Sequence, residues 1–249
     1  MEEPQISKKS RNTTIDAIKG VAVILMLVFH YFYLANEMGV GSYKVGTGIL
    51  KAMAKIAHIT FIIMVGVNLK RSYNKWKQRN QTEVFYQNQI SRSLTLLAGA
   101  ILISYFSKQA FGEIYVKWGI LHFLGTHILL TQFFTESSSS TLLQSAIFIE
   151  FLNLFTHYNK NLFFDMCQEN PMTCFITGIM NLKYNALDHF NLLGFMGKII
   201  FGMYLGNSIS WDTMDIENSG LTTALAWLGN KSLIIYLIHI PILYFYLQR

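Results

Sequence analysis

The chain has 249 residues, of which 52% are hydrophobic and only 14% charged, with a mean hydropathy of +0.32. A soluble domain carries about 25% charged residues, so the composition speaks against a water-soluble globular protein and for a membrane protein. Only three prolines occur, and no Pro-, Gly- or charge-rich linker divides the chain, so it reads as a short cytoplasmic tail (1–15) followed by one membrane domain (16–249).

A bilayer-spanning helix needs about 20 mainly apolar residues. In chain order, segments near 16–35, 50–69, 91–108, 115–134, 141–157, 190–206 and 224–247 meet or approach that length. The expected fold is therefore all-α: a polytopic helical bundle of about seven transmembrane helices. The first segment follows a polar tail and lacks a small-residue cleavage site, so it is not read as a removable signal peptide. The fifth, TLLQSAIFIEFLNLFTH, carries Glu150 and is the weakest. Residues 172–182 are too short to span and read as re-entrant or interfacial. The tail sequence SKKSR and the loop KRSYNKWKQRN (70–80) are both basic and fall on one side of the bilayer. Short basic loops stay in the cytoplasm, which places the N-terminus inside and the C-terminus outside. The formal charge of +6 is then a topology signal and gives no case for nucleic acid. Cys167 and Cys174 fall in the outer loop 158–189, where an oxidising compartment would allow a disulfide. Neither a CxxC pair nor an HExxH motif occurs, and no metal is expected.

Ionisable groups in hydrocarbon are costly unless paired or facing a cavity, and they mark functional positions by default. Asp16 and Lys19, three residues apart, can pair on one helix face. Lys19 and His30 share a face about 16 Å apart along the axis, with Lys19 at the inner surface and His30 in the outer half. His58 lies near mid-membrane, balanced between packing and function. In WGILHFLGTH, His122 is flanked by Gly119 and Gly125, small residues that admit either a neighbouring helix or a ligand; His127 lies deeper, on another face. Asp188 and His189 open the sixth segment, where a carboxylate also suits the helix dipole. In the last segment Ser232, Tyr236 and His239 form one stripe, followed by Pro241. In this topology His30, His122, Asp188 and His239 all fall in the outer half, while Lys19, Lys70, Arg71 and Arg92 gather at the inner face. The arrangement suggests a cavity with a titratable outer end and a cationic inner mouth.

The ordered segments TIDAIKGVAVILMLVFH, TFIIMVGVNL, WGILHFLG, LDHFNLLGFMGKIIFGMYLG and LGNKSLIIYLIHIP resemble the catalytic-domain family of heparan-α-glucosaminide N-acetyltransferases, within the wider superfamily of transmembrane acyltransferases. The resemblance spans roughly residues 11–247. It implies an integral membrane enzyme, in a cell or inner membrane, that takes an acyl group from acetyl-CoA or another acyl-CoA on the cytoplasmic side. The acceptor it implies is an extracytoplasmic sugar hydroxyl or amine. By motif, His30 matches the histidine closing the first-span pattern, His122 the polar position after Gly-Ile-Leu, Asp188 the acidic residue opening the sixth span, and Ser232, Tyr236 and His239 the last-span stripe. Lys19 stands where arginine is usual, which keeps the charge but loses the planar fork for phosphate. The prolines usual after the sixth-span Asp are absent. Acyl transfer needs a base for the acceptor's proton and a donor for the developing oxyanion. Histidine suits the base role, and an acyl-histidine intermediate is a second route. The competing reading is a small-molecule or proton-coupled transporter using the same histidines; the lack of an internal repeat counts against it.

Overall fold

The computed structural model describes residues 12–179, 189–214 and 219–248. Most of the proposed 1–15 tail therefore lies outside the described residues, as do part of the 172–182 segment and Asp188. Among the described residues there are ten α-helices and no strand. The chain divides into two compact units, residues 1–64 with 210–249, and residues 65–209.

The first unit holds α1 (Thr13–Glu37), the first part of α2 (Gly48–Lys77), α9 (Gly220–Asn230) and α10 (Ser232–Leu247). The Asn12 side chain caps α1 by accepting from the Ile15 amide, and Asp16 places a negative charge in the first turn, where it complements the helix dipole. Asn12 also donates to the Trp211 carbonyl at 2.6 Å, and Thr14 donates to that of Met214. Helix α9 lies along α1 because two glycines remove the Cβ atoms that would hold the backbones apart. Gly20 abuts the Leu225 carbonyl and Gly229 the Asp16 carbonyl, the small-residue contact typical of membrane helices. Ser219 starts α9 with a reciprocal capping box.

The last sequence-predicted span, 224–247, is not one straight rod: α9 and α10 meet at 80° around Lys231. On α10, Ser232, Ile235, Tyr236, His239, Leu243 and Leu247 are the less exposed positions, the inward stripe expected of a 3.6-residue period. Pro241 sits inside α10, where it cannot donate to the carbonyl four residues earlier.

The second unit holds the rest of α2, then α3 (Thr82–Phe111), α4 (Ile120–Leu130), which tightens into a 3₁₀ turn (Thr131–Phe134), α5 (Ser139–Tyr158), α6 (Lys160–Glu169), α7 (Pro171–Thr177) and α8 (Leu192–Ser208). Its core joins Leu69, Tyr73, Phe85, Leu142, Ala146, Ile200 and Met203. Gly66 and Gly206 again allow close backbone approach, to Ile199 and Val67. Asn74 donates to Asn207 at 2.9 Å and Asn207 to Ser139 at 2.7 Å. The end of α2, the start of α5 and the end of α8 thus share one end of the unit. At the other end, Phe190 donates its amide to the Trp118 carbonyl at 3.0 Å, joining the start of α4 to the approach of α8.

Helices α1, α2 and α3 are long and apolar enough to cross a membrane, and α9 with α10 makes a fourth if the bent pair is one span. The predicted segments 141–157 and 190–206 coincide with α5 and α8. The predicted 115–134 corresponds to the shorter α4 and its 3₁₀ turn. Outward faces are apolar, including Ile101, Leu102, Tyr105 and Phe106 on α3 and Ile147, Phe148, Phe151 and Leu154 on α5. Patches of this extent mark surfaces that meet lipid or protein rather than water.

Candidate active site

The first unit brings His30 and His239 together. Their rings lie 4.7 Å apart, edge to face at 70°. Each ring is oriented by its own helix. His30 Nδ1 contacts the Met26 carbonyl at 2.9 Å, and His239 Nδ1 contacts the Tyr236 carbonyl at 2.6 Å. A carbonyl oxygen only accepts, so in both residues Nδ1 carries the hydrogen, and in the neutral ring Nε2 keeps the lone pair. His239 is 4% exposed, and its Nε2 is buried with no hydrogen-bond partner among the described residues. His58, from the α2 segment of this unit, interacts electrostatically with His30. Tyr236 packs its ring 5.6 Å from that of His239. Ser232, one turn before Tyr236, lies on the same stripe. Lys19, toward the start of α1, is paired with Asp16 at 2.6 Å.

The remaining sequence-predicted residues belong to the second unit, apart from Asp188, which lies outside the described residues. His122 stacks on Trp118, with ring centroids 5.2 Å apart and 28° between planes. Ser104 donates to the Val116 carbonyl at 2.6 Å, so its oxygen is the acceptor in its long 3.4 Å contact with His122 Nε2. Gly125 serves helix packing: a Cβ there would press on Leu97 of α3, and Ser93 donates to the Gly125 carbonyl at 2.6 Å. Gly119 is the N-cap of α4. His189, before α8, is held below the usual histidine range by burial, partly offset by a hydrogen bond to the Cys174 backbone. Cys167 and Cys174 form a disulfide between α6 and α7, with Cα atoms 5.1 Å apart.

The cations of this unit differ in what they do. Lys70 is 3% exposed and donates to the Thr135 and Ser137 carbonyls at 2.5 and 3.0 Å. It thereby satisfies carbonyls at the end of the α4 segment. Arg71, beside it, is 9% exposed, whereas Arg92 on α3 is open to the surface. Among the described residues no group of three His, Cys, Asp or Glu side chains is placed to hold a metal.

Across the chain, residues 11–241 match the family described as heparan-alpha-glucosaminide N-acetyltransferase, catalytic. The chain belongs to this family. The match takes in both facing histidines of this acetyltransferase-family protein. No curated protein and no solved structure matches the chain.

One ion pair of this N-acetyltransferase-family chain escaped sequence reading. Lys198 of α8 donates to Glu150 of α5 at 2.7 Å and also to the Gly194 carbonyl. Gly197 leaves the room, since a Cβ there would meet the Glu150 side chain at 3.0 Å. The signal was present: two apolar segments each held a single opposite charge, and each charge needs a partner. Trp118 escaped as well, because a tryptophan near a helix start is ordinarily an interfacial anchor.

Proposed function

We propose that the protein moves an acetyl group from cytoplasmic acetyl-CoA to an extracytoplasmic sugar amine or hydroxyl, with His30 as the base. The topology in this reading is seven spans with the N-terminus inside, the α4 segment, α5 and α8 completing the count, and residues 16–249 forming one transmembrane domain. Two independent features support the orientation. The disulfide lies where α5 ends and α8 begins, as an oxidising outer side requires. The basic segment 70–80 lies at the opposite end of the same helices.

The carrying observation is the pair of histidines 4.7 Å apart, each with Nδ1 tied to a carbonyl of its own helix. His30 Nε2 takes the proton from the acceptor amine or hydroxyl as the acceptor's N or O bonds to the acyl carbon. His239 steadies the resulting imidazolium's orientation through its ring contact. His30 then returns the proton to the sulfur as the carbon–sulfur bond breaks, so the pair ends as it began. Acetyl-CoA, when bound, supplies the thioester carbonyl. Its polyanionic head calls for cations, and the candidates are Lys19 in the first unit and Lys70, Arg71 and Arg92 in the second. Ser232 and Tyr236, on the His239 stripe, contact substrate. His122 and Asp188 serve the acceptor side. No metal takes part.

The test is acetyl transfer by the purified full chain in lipid nanodiscs, supplied with acetyl-CoA and methyl α-D-glucosaminide, with product followed by mass spectrometry. Product formed in proportion to protein and acetyl-CoA consumed supports the reading. Uptake of a solute into proteoliposomes with no acetyl-CoA consumed refutes it and favours the transporter.

A further inference from the structure

Helix α6 is too short to cross a bilayer, yet part of its apolar surface is left uncovered. Its ten residues, Lys160–Glu169, measure about 15 Å. At about 100° per residue they fall into three sectors. Phe163, Phe164 and Cys167 share the inward one. Cys167 is buried and bridged to Cys174, and Phe163 meets Phe155 of α5 edge to face with ring centroids 6.3 Å apart. Asn161, Asp165, Gln168 and Glu169 form an exposed polar sector. Leu162 and Met166, one turn apart, lie between the two and are 58% and 44% exposed. A helix surrounded by water has no use for such a shoulder. A helix lying in the headgroup layer does, because one side packs on protein, one meets acyl chains and one meets water.

The shoulder continues an apolar face. Helix α5, with 20 residues, is about 30 Å long, the thickness of a hydrocarbon core. Its outward side ends in Leu154, Phe155 and Tyr158, the last of them 89% exposed. An exposed tyrosine at the end of a span marks the headgroup level. Asn159 stops α5 there, its side chain donating to the Phe155 carbonyl at 2.9 Å, and α6 starts at the next residue. Helix α6 therefore begins at the bilayer surface, beside the apolar side of α5. Charge does not draw it there: Lys160 stands against Asp165 and Glu169, so α6 has no basic face for anionic headgroups. At its far end Asn170 accepts from the Met172 amide at 3.0 Å and Pro171 opens α7, which returns Cys174 to Cys167.

We propose that α6 is an interfacial anchor, lying along the bilayer surface with Leu162 and Met166 set among phospholipid acyl chains and its polar sector in water. The depth follows from α5 being a span; neither the direction of insertion nor acetyl transfer enters. The anchor holds the bridged α6–α7 hairpin at a fixed level in the headgroup layer.

Both native cysteines are in the bridge, so introduced cysteines can be labelled one at a time. Bimane is attached to Leu162→Cys, Met166→Cys, Gln168→Cys and, within α5, Phe151→Cys. The full chain is held in phosphatidylcholine nanodiscs, which leave both faces open to solvent. A shallow doxyl-lipid should quench bimane at the Leu162 and Met166 positions at least about threefold more than at Gln168, and aqueous iodide should do the reverse, as a burial depth of about 5–10 Å implies. A deep doxyl-lipid should quench the Phe151 position. The pattern should hold at high salt; lipid quenching that salt abolishes overturns an apolar anchor. Iodide reaching the Leu162 and Met166 positions as readily as Gln168 overturns it also and leaves α6 in water. Shielding of both positions from iodide and from lipid overturns it by placing protein over the shoulder, a second copy or another part of the chain. A Phe151 position beyond the reach of doxyl-lipid, with Leu162 and Met166 still quenched by the shallow one, keeps α6 at the surface and overturns the α5 span.

Discussion

Removing the His30 imidazole tests the proposed chemistry most directly. A positioned general base contributes roughly 10²–10⁴-fold, so His30→Ala should lower the single-turnover rate of acetyl transfer by that factor. At about 1.36 kcal/mol per factor of ten, this is about 3–5 kcal/mol of transition-state stabilisation. His239→Ala leaves His30 bonded to Met26 but takes away the ring packed 4.7 Å from it; a loss of about ten- to a hundredfold is expected for a group that orients the base. Groups in contact act as a unit, and their effects do not add. The double variant should therefore be no slower than His30→Ala within about threefold, giving a coupling of roughly 1–3 kcal/mol. The assay is transfer of labelled acetyl from acetyl-CoA to methyl α-D-glucosaminide at saturating protein, with thermal unfolding in detergent confirming that each variant is folded. Strictly additive losses would show that the two rings work separately despite their contact. Undiminished transfer by folded His30→Ala would remove His30 from the mechanism.

Gly20→Ala and Gly229→Ala each place a methyl where a backbone carbonyl stands, that of Leu225 or of Asp16; each should cost about 1–3 kcal/mol, read as a lower unfolding midpoint, and unchanged midpoints would mean that α1 and α9 part easily. In right-side-out vesicles an impermeant maleimide should label Lys160→Cys, an exposed position at the start of α6, in a chain whose Cys167–Cys174 bridge is intact, whereas labelling confined to inside-out vesicles would reverse the proposed orientation. Lys19→Gln should raise the KM for acetyl-CoA several-fold and do so less at high salt; wild-type affinity would leave Lys19 only its pairing with Asp16 and a topological role. Burial holds His189 below its ordinary 6.5, so the stability its neutral ring supports is present above that pH and declines as pH falls through the lowered value. His189→Gln should flatten this acid-side decline in unfolding midpoint, and identical slopes would refute it.

The composition and the run lengths determined the class of this protein without any coordinates. So little charge spread over such long apolar segments cannot make a soluble core, and α1, α2 and α3 appear where those segments lie. The order of the histidine, glycine and Ser–Tyr–His motifs was enough to mark the family, because those residue types are costly in lipid unless something uses them. The stripe Ser232–Tyr236–His239 was legible for the same reason: a helix has one period, and the stripe came out facing inward. What periodicity could not give was anything between elements. A helical projection places His30 and His239 on their own helices but says nothing of the 4.7 Å between the rings. That distance depends on the 80° break at Lys231 and on Gly20 and Gly229 letting α9 lie against α1. Lys70, read as a cation for phosphate, also donates to the Thr135 and Ser137 carbonyls, partners that no helical projection names. Glu150 found its partner in Lys198, on a helix more than forty residues away in sequence, 48 positions on. Sequence fixes what each segment can tolerate, since burial cost is local to a side chain; which partner answers that cost is decided only when distant segments pack.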